Sequence, residues 1–492
     1  MGVLLIIGLF LITLYIFNFY WKVSKYPKGP FPLPFFGNIL QFPAENIHLY
    51  YDELSKKYGP VFTVWTPLPN IVLTDYEHIK EAFVKKGDTF TYRSQRPPET
   101  LLQAHVNTGV LISDGDVWRT QRRTSLKILR DFGMGRNLME EQVKRSVRSL
   151  LEHLKVGIPD KNCADVFWPI QLCVGNVINE SLFGFHFHYD DSEKFETFVK
   201  VIDRHARMFR NAIPLFVSSF NWLKYVPIIG EIGYYKIKRN IDSYLKFIED
   251  EVAVQIEKYD RDATPENFVH AYLQQMETSG NPGLDTKNLI ASVLDFWLAG
   301  METTSNSIRW HLAYAMKYPE VQDKVRKEIM DVVGSERLPS LADKAEMPYT
   351  QAVIHEVQRH SNMVPLLMSH MCIVDTSISG IPVAAGTNVF AQIWSVMNHD
   401  PVFEDPDAFN PDRFLLEDGE TFNKAVLERT IPFSIGKRSC VGEGLARLEI
   451  FLIFTALIQK YEFQAASQID MTPDWGAVLT VKPYKCRMIK QF

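Results

Sequence analysis

Hydrophobic positions recur every three to four residues along most of the chain, a pattern that predicts helix. The period is clear in ENIHLYYDELSKKYG, which stops at Gly59, and it continues with few breaks from residue 115 to about residue 259. We expect a short helix flanked by loops within residues 261–283. Runs rich in β-branched and aromatic residues predict a strand pair in VFTVWTPLPNIVLTD and short strands in HMCIVDTSISGIPVAAGTNVFA. The chain is therefore predicted to be mainly α, with a minor β part built from both ends.

The longest helical pattern begins near Asp285, a good N-cap residue, and must end before Pro319. Its first half is apolar on nearly every face, so the helix should cross the interior. The sequence AGMETT, residues 299–304, interrupts this apolar stretch with a glycine, the acid Glu302 and two alcohols. The Thr303 hydroxyl can compete for the carbonyl of Ala299 one turn earlier and open the helix locally. Tolerated chance substitutions are the alternative, but such a group in a core indicates a site that holds water and moves protons.

The N-terminal segment has the composition of a membrane span. Residues 1–21, MGVLLIIGLFLITLYIFNFYW, carry no charge, and as a helix they would be roughly 30 Å long, the thickness of a bilayer core. Three lysines follow between residues 22 and 28, which places that side in the cytoplasm. A cleaved signal peptide is the alternative, but it needs a positive first region and a small-residue cleavage site, and neither occurs. We predict an uncleaved anchor.

The rest of the chain divides into a hinge and one domain. Residues 22–38 are basic and contain four prolines between residues 27 and 34, which predicts a stiff, extended hinge. Residues 39–492 contain no Ser/Gly tract, proline-rich run or charge block that would mark a linker, so they should form one large domain.

Charge and cysteine content exclude several classes. The net charge is −5, whereas a nucleic-acid binder normally carries a basic excess. The five cysteines are widely spaced and no C-x-x-C pair occurs. This pattern is neither a disulfide framework nor a zinc or iron–sulfur spacing, and it fits a reducing compartment.

One cysteine stands in unusual surroundings. FSIGKRSCVG places Cys440 among glycines and beside Lys437 and Arg438, just before a helix predicted to begin near Val441. A lone cysteine is most often an ordinary buried thiol, but cations and a helix start favour a thiolate. A thiolate can be a nucleophile, which needs a base, or a metal ligand such as the axial ligand of haem, which needs a flat apolar pocket. The local sequence leaves both roles open.

Two further motifs contain charged residues at suggestive spacing. In IHEVQRH, Glu356 and Arg359 are three residues apart on one helix face, and a surface ion pair is the plain interpretation. In DAFNPDRFL, Arg413 stands between aromatic residues in a proline-containing loop, where a solvated arginine is less expected.

Together these motifs resemble those of the cytochrome P450 family of haem-thiolate monooxygenases. FSIGKRSCVG is similar to the family's haem-binding signature, AGMETT to its oxygen-activation motif, and EVQR, FNPDRF and WRTQR to three further family motifs, all in the family's order. The anchor and the hinge resemble the microsomal animal branch. The resemblance implies the P450 fold, with the long central helix over a haem b group.

The resemblance also implies site residues. Cys440 would be the axial thiolate, with Phe433 packed beside it. The groups that would hold the haem propionates are Trp118, Arg122, Arg438, Arg96 and His370. Glu356, Arg359 and Arg413 would form the family's structural triad, which replaces the surface-pair interpretation. Thr303 and Glu302 would form the alcohol–acid pair that handles protons. Substrate contacts are expected from Ala299, Val364, Leu367 and Met368, with residues 105–112 and 477–479 as weaker candidates.

The implied activity is insertion of one oxygen atom from O2 into a lipophilic small molecule: a fatty acid, a steroid or a xenobiotic. NADPH would supply electrons through a flavoprotein reductase, with cytochrome b5 as a further candidate partner. The chain would be a single-pass protein of the endoplasmic reticulum membrane, with its catalytic domain, residues 39–492, in the cytoplasm and no nucleic-acid partner. A haem-thiolate isomerase or peroxygenase, which needs no reductase, and a non-catalytic haem sensor or lipid carrier are the alternatives.

Overall fold

Helices form most of the protein. The computed structural model describes residues 2–43, 45–95, 100, 103–132, 137–156, 160–208, 217, 220–476 and 478–491. The α-helices are α1 Gly2–Val23, α2 Ile47–Tyr58, α3 Tyr76–Lys80, α4 Gly115–Asp131, α5 Asn137–Val156, α6 Phe167–Phe183, α7 Glu193–Met208, α8 Lys236–Lys258, α9 Phe268–Ser279, α10 Thr286–Lys317, α11 Pro319–Val332, α12 Pro348–Ser361, α13 Ile393–His399, α14 Lys424–Arg429 and α15 Glu443–Lys460.

The strands make a small β part. They are β1 Val61–Trp65, β2 Pro69–Leu73, β3 His370–Met371, β4 Thr376–Ile378, β5 Ile381–Val383, β6 Asn388–Ala391, β7 Tyr461–Ala465 and β8 Cys486–Lys490. Four of them form a sheet in the order β1-β2-β6-β3, in which β2 and β6 are parallel. This sheet confirms both the predicted strand pair and a β part built from both ends of the chain. The antiparallel β7–β8 pair was not predicted, because β7 follows α15 with no residue between them.

The central helix α10 has the predicted bounds. Asp285 caps it, since its side chain accepts a hydrogen bond from the backbone N–H of Asn288 at 2.7 Å, and the helix ends at Lys317, before Pro319. Trp297 and Trp310 are buried along it, 0% and 1% exposed. The Thr303 hydroxyl donates to the carbonyl of Ala299 at 2.6 Å as predicted, but the helix continues through AGMETT, so the predicted local opening is wrong: the carbonyl accepts this bond without loss of the helix. The predicted interior position is confirmed.

The first helix, α1, is long and apolar enough to cross a membrane, and its described residues are not buried against the rest of the protein. The segment after it packs on the sheet. The backbone N–H of Asn38 donates to the carbonyl of Trp65 at 2.7 Å, and the Asn38 side chain accepts from the Trp65 N–H at 2.8 Å. A Cβ atom at Gly29 would lie 1.9 Å from the carbonyl oxygen of Thr63. The second half of the predicted hinge is therefore held against β1, while the division at residue 21 stays a prediction.

Candidate active site

The loop before α15 holds Cys440 in a fixed conformation. Gly436 has a φ of +85°, and a Cβ atom there would lie 2.0 Å from the carbonyl oxygen of Phe83, so only glycine fits. The backbone N–H of Cys440 donates to the carbonyl of Phe433 at 2.9 Å. The backbone N–H groups of Gly442 and Glu443, at the start of α15, lie on the side of the sulfur and act to lower the pKa of the Cys440 thiol. The loop thus presents a sulfur atom supported by two N–H donors.

The charges around Cys440 differ from the prediction. Burial raises the pKa of the Cys440 thiol, while the two N–H donors and the Arg122 guanidinium act in the opposite direction. Lys437 instead pairs with Asp88, and Arg438 donates to backbone carbonyls, so neither acts as the cation we expected. By surface area, however, Cys440 is exposed, and it lines the cavity. The sulfur is therefore accessible to a bound metal ion, which would favour its deprotonated form.

A mainly apolar cavity of about 300 Å³ lies between Cys440 and α10. All four predicted substrate residues line it: Ala299, Val364, Leu367 and Met368. Phe433 and Thr303 line it as well. Of residues 105–112, which are all described, Leu111 lines the cavity. Leu479 is not among the described lining residues, but its backbone N–H donates to the carbonyl of Met363, which is one of them. Residue 477 lies outside the described residues.

One end of the cavity carries clustered positive charge. Arg93, His370 and Arg438 line it there. The pKa of Arg438 is lowered mainly by burial and, to a smaller extent, by the nearby guanidinium groups of Arg93 and Arg122. The Asp114 carboxylate acts in the opposite direction. Burial and the same arginine cluster also hold the pKa of His370 well below its usual value. The mutually repelling guanidinium groups of Arg93, Arg122 and Arg438 favour binding of an anion, beside a His370 that these shifts keep neutral.

Trp118 adds a hydrogen-bond donor at this end. Its ring centre lies 4.0 Å from the guanidinium carbon of Arg438, and its Nε1 atom is buried with no acceptor in the described part of the chain. A buried N–H group without a partner is costly, and a carboxylate of a bound group would satisfy it. Arg96, predicted here, lies outside the described residues, so its role stays a prediction. Arg93, which was not predicted, lines the cavity.

The two members of the predicted alcohol–acid pair lie in different places. Thr303 lines the cavity, whereas Glu302 is not among the lining residues that the structure describes. The side chain of Glu302 points toward α6, where the Nε2 group of Gln171 donates to its Oε2 atom at 3.2 Å. The Thr303 hydroxyl therefore faces the cavity, whereas the carboxylate of Glu302, the preceding residue on α10, faces α6.

Glu356, Arg359 and Arg413 meet in the interior. The side chains of Glu356 and Arg359 are 0% exposed, and Arg359 donates to Glu356 through Nε at 2.7 Å and Nη2 at 2.9 Å. Arg413 Nε lies 3.2 Å from Glu356 Oε1. Arg359 also donates to the carbonyls of Met397 and Pro406. This network joins α12 to the segment that leads to the cysteine loop, so the surface-pair interpretation is wrong.

Two buried acids near the cavity were missed. Asp295 on α10 accepts hydrogen bonds from the N–H groups of Val110 at 2.7 Å and Leu111 at 2.9 Å, and burial raises its pKa to about 7. Glu449 on α15 lines the cavity, and burial raises its pKa well above the usual value. Each acid interrupts an apolar run, SVLDFW and LEIFLIF, and that interruption was the available signal.

These features together fit one kind of cofactor. A sulfur ligand on one wall suits an iron ion, the apolar walls suit a flat macrocycle, and the arginine cluster with the unpartnered Trp118 N–H suits its carboxylates. The fold and the site therefore define a haem-thiolate protein.

Comparison with known proteins places the chain within that class. The sequence model of the cytochrome P450 family matches residues 27–488. Cytochrome P450 2B19 of Mus musculus is 36% identical over 95% of this chain and 94% of its own length. Cytochrome P450 2J2 of Homo sapiens is 36% identical over 95% and 91%, and cytochrome P450 2G1 of Oryctolagus cuniculus is 35% identical over 94% and 92%. The chain belongs to the cytochrome P450 family and is a haem-binding monooxygenase.

Proposed function

We propose that this cytochrome P450 inserts one oxygen atom from O2 into a lipophilic small molecule, with electrons from NADPH delivered by a flavoprotein reductase. The apolar cavity between Cys440 and Thr303 carries the proposal. Its wall includes Phe296, Leu367 and Met368, which bind a ligand through burial of apolar surface rather than through charge. A fatty acid, a steroid or a xenobiotic has the matching chemistry.

Haem b would be held at its iron and at its carboxylates. Cys440 would bind the iron through sulfur, and the residues that would hold the carboxylates are Trp118, Arg122, Arg438, His370 and Arg93. When bound, haem supplies the redox chemistry that activates oxygen. The protein supplies the N–H donors at the sulfur, the apolar walls that exclude water, and the cations that neutralise the carboxylates.

Thr303 and Glu302 would manage protons at the α10 wall. The Thr303 hydroxyl lines the cavity and can hold a water molecule or pass a proton through Oγ1. Glu302 is the adjacent carboxylate and can replenish that proton from the side of α6. Both roles depend on position: the Thr303 hydroxyl donates to the carbonyl of Ala299, and the Glu302 carboxylate accepts from Gln171.

Replacing Thr303 with alanine, or Glu302 with glutamine, should uncouple NADPH consumption from product formation. We expect the ratio of product to NADPH to fall roughly tenfold, below the roughly 10²–10⁴-fold typical of acid–base groups because water can partly replace the missing group, with hydrogen peroxide accounting for much of the difference. Haem content and substrate affinity should change little. Ser307→Ala, which removes another hydroxyl residue of the cavity wall, is the control. If both variants keep the wild-type ratio, AGMETT has no part in proton transfer.

A basic surface on α4 is the proposed docking site for the reductase, with cytochrome b5 as a second candidate. It consists of Arg119, Arg123, Lys127 and Arg130. The last three are exposed, and Arg119 pairs with the exposed Asp116 at 2.6 Å. Trp118 is buried on the opposite side of the same helix, toward the cavity end that carries the arginine cluster. An acidic donor at this surface would therefore lie near the haem carboxylates.

Two measurements test the proposed electron route. The purified chain with reductase should consume NADPH and form product in a substrate-dependent way; an isomerase or peroxygenase would need no NADPH. Reversing the charge with Arg123→Glu and Lys127→Glu should slow reduction several-fold at low salt and less at high salt, because screening weakens exposed charges. Lys258→Glu, on the exposed end of α8, is the control. Equal rates at every ionic strength would place docking elsewhere.

We also propose the endoplasmic reticulum membrane as the location, with α1 as a single span and the catalytic domain in the cytoplasm. The apolar helix and the lysines after it support this topology. Carbonate extraction should leave the chain in microsomes, and protease added outside intact microsomes should digest the catalytic domain. Protection of that domain would reverse the proposed topology.

A further inference from the structure

A buried amide on α6 joins this helix to the central helix. Gln171 is 2% exposed. Its Nε2 group donates to Glu302 Oε2 at 3.2 Å, and its Oε1 atom accepts from Ser305 Oγ at 2.9 Å and from Arg309 Nη2. The helices pack closely here, since a Cβ atom at Gly300 would lie 2.7 Å from Ile178 Cδ1.

The partners of Gln171 allow only one orientation of its amide. The carbonyl oxygen faces two donors, and the NH2 group faces a carboxylate, which in its ionised form only accepts. A flipped amide would set its NH2 group against the Arg309 guanidinium, which cannot accept a hydrogen bond, and its oxygen against the Glu302 carboxylate. The network thus defines where the carboxylate of Glu302 lies, on the α6 side of α10 and beside Thr303.

We propose that Gln171 is a positioning residue for Glu302: it holds the carboxylate in the place from which Glu302 supplies protons to the Thr303 hydroxyl. Arg309 strengthens this hold, because a donor on the amide oxygen polarises the amide and makes its NH2 group a better donor. The inference rests on the proposed role of Glu302 and extends it to a residue on another helix.

Two substitutions separate positioning from simple bracing. Gln171→Met keeps the volume but removes every hydrogen bond of the amide. Gln171→Glu keeps an acceptor for Ser305 and Arg309, so it preserves the brace between the helices, but it presents a carboxylate to Glu302. We expect both variants to lower the ratio of product to NADPH by roughly threefold to tenfold. This is a smaller effect than the full loss of a hydrogen bond to a charged group would give, because Glu302 keeps other contacts. For Gln171→Glu the loss should deepen as pH rises and the two carboxylates repel each other.

The control is Asn179→Ser on the same helix. Asn179 is 0% exposed and accepts a hydrogen bond from Trp297 Nε1 at 2.8 Å. It also joins α6 to α10, but its hydrogen bond lies at Trp297, more than one helical turn before Glu302. We expect this variant to lower thermal stability while keeping the wild-type product ratio.

The decisive measurement is the same ratio in a Glu302→Gln background. Gln171→Met should lower it no further there, since the group to be positioned is gone. Wild-type coupling in Gln171→Glu, or equal losses from Gln171→Met in both backgrounds, would reduce Gln171 to a brace and overturn the inference. If Glu302→Gln alone keeps the wild-type ratio, the proposed role of Glu302 fails instead.

Discussion

Replacing Cys440 with serine should abolish both the red-shifted Soret band of the reduced carbon-monoxide complex and all monooxygenase activity. The band and the activity both require a thiolate that donates electron density to iron. A serine hydroxyl at this position would occupy the same loop and meet the same N–H donors from Gly442 and Glu443, so the fold should survive. The activity is then lost because a serine oxygen does not donate electron density to iron as a thiolate does, and not because the protein unfolds.

Absorbance spectra and haem content measure this prediction directly. Cys163→Ser is the matched control, because Cys163 is exposed and far along the chain from the cysteine loop. It should leave the band and the turnover unchanged. A retained red-shifted band in Cys440→Ser would falsify the assignment of the iron ligand.

Replacing Arg359 with alanine should cost about 3–5 kcal/mol of unfolding free energy, the usual effect of breaking a buried ion pair. Glu356 would be left in the interior with one arginine, Arg413, in place of two. The carbonyls of Met397 and Pro406 would also lose their donor. Because a loss of this size is a large part of the stability of a typical domain, we expect little folded, haem-loaded protein.

Denaturation midpoints and the yield of haem protein are the measurements. Arg337→Ala is the control: Arg337 forms a two-bond pair with Asp343, but its side chain is 49% exposed. Such a pair contributes about 1 kcal/mol or less. An equal shift of the midpoint in Arg359→Ala and Arg337→Ala would show that the buried network around Glu356 contributes no more stability than an exposed ion pair.

Local sequence patterns could predict the features that depend on nearby residues. The extent of α10 follows from its cap and from Pro319, and the β1–β2 pair follows from its composition. The partners of individual charged groups could not be predicted, because they lie far away in the sequence. Lys437 pairs with Asp88 at a separation of 349 positions, and Glu302 bonds Gln171 at a separation of 131. The same distance explains why Arg93, which lines the cavity beside Arg438, was not predicted from its local sequence.

The parallel pairing of β2 with β6 has a consequence for how the protein is made. Asn70 and Asn388 face each other in that sheet and are 318 positions apart. At roughly 5–20 residues per second of synthesis, β1 and β2 wait about 15 to 60 s on the ribosome before β6 exists. During this time the open edge of β2 can pair with other chains. Completion of the sheet must therefore wait until β6 has been synthesised, and haem can be bound only after the cysteine loop, which follows β6 in the sequence, has been made as well.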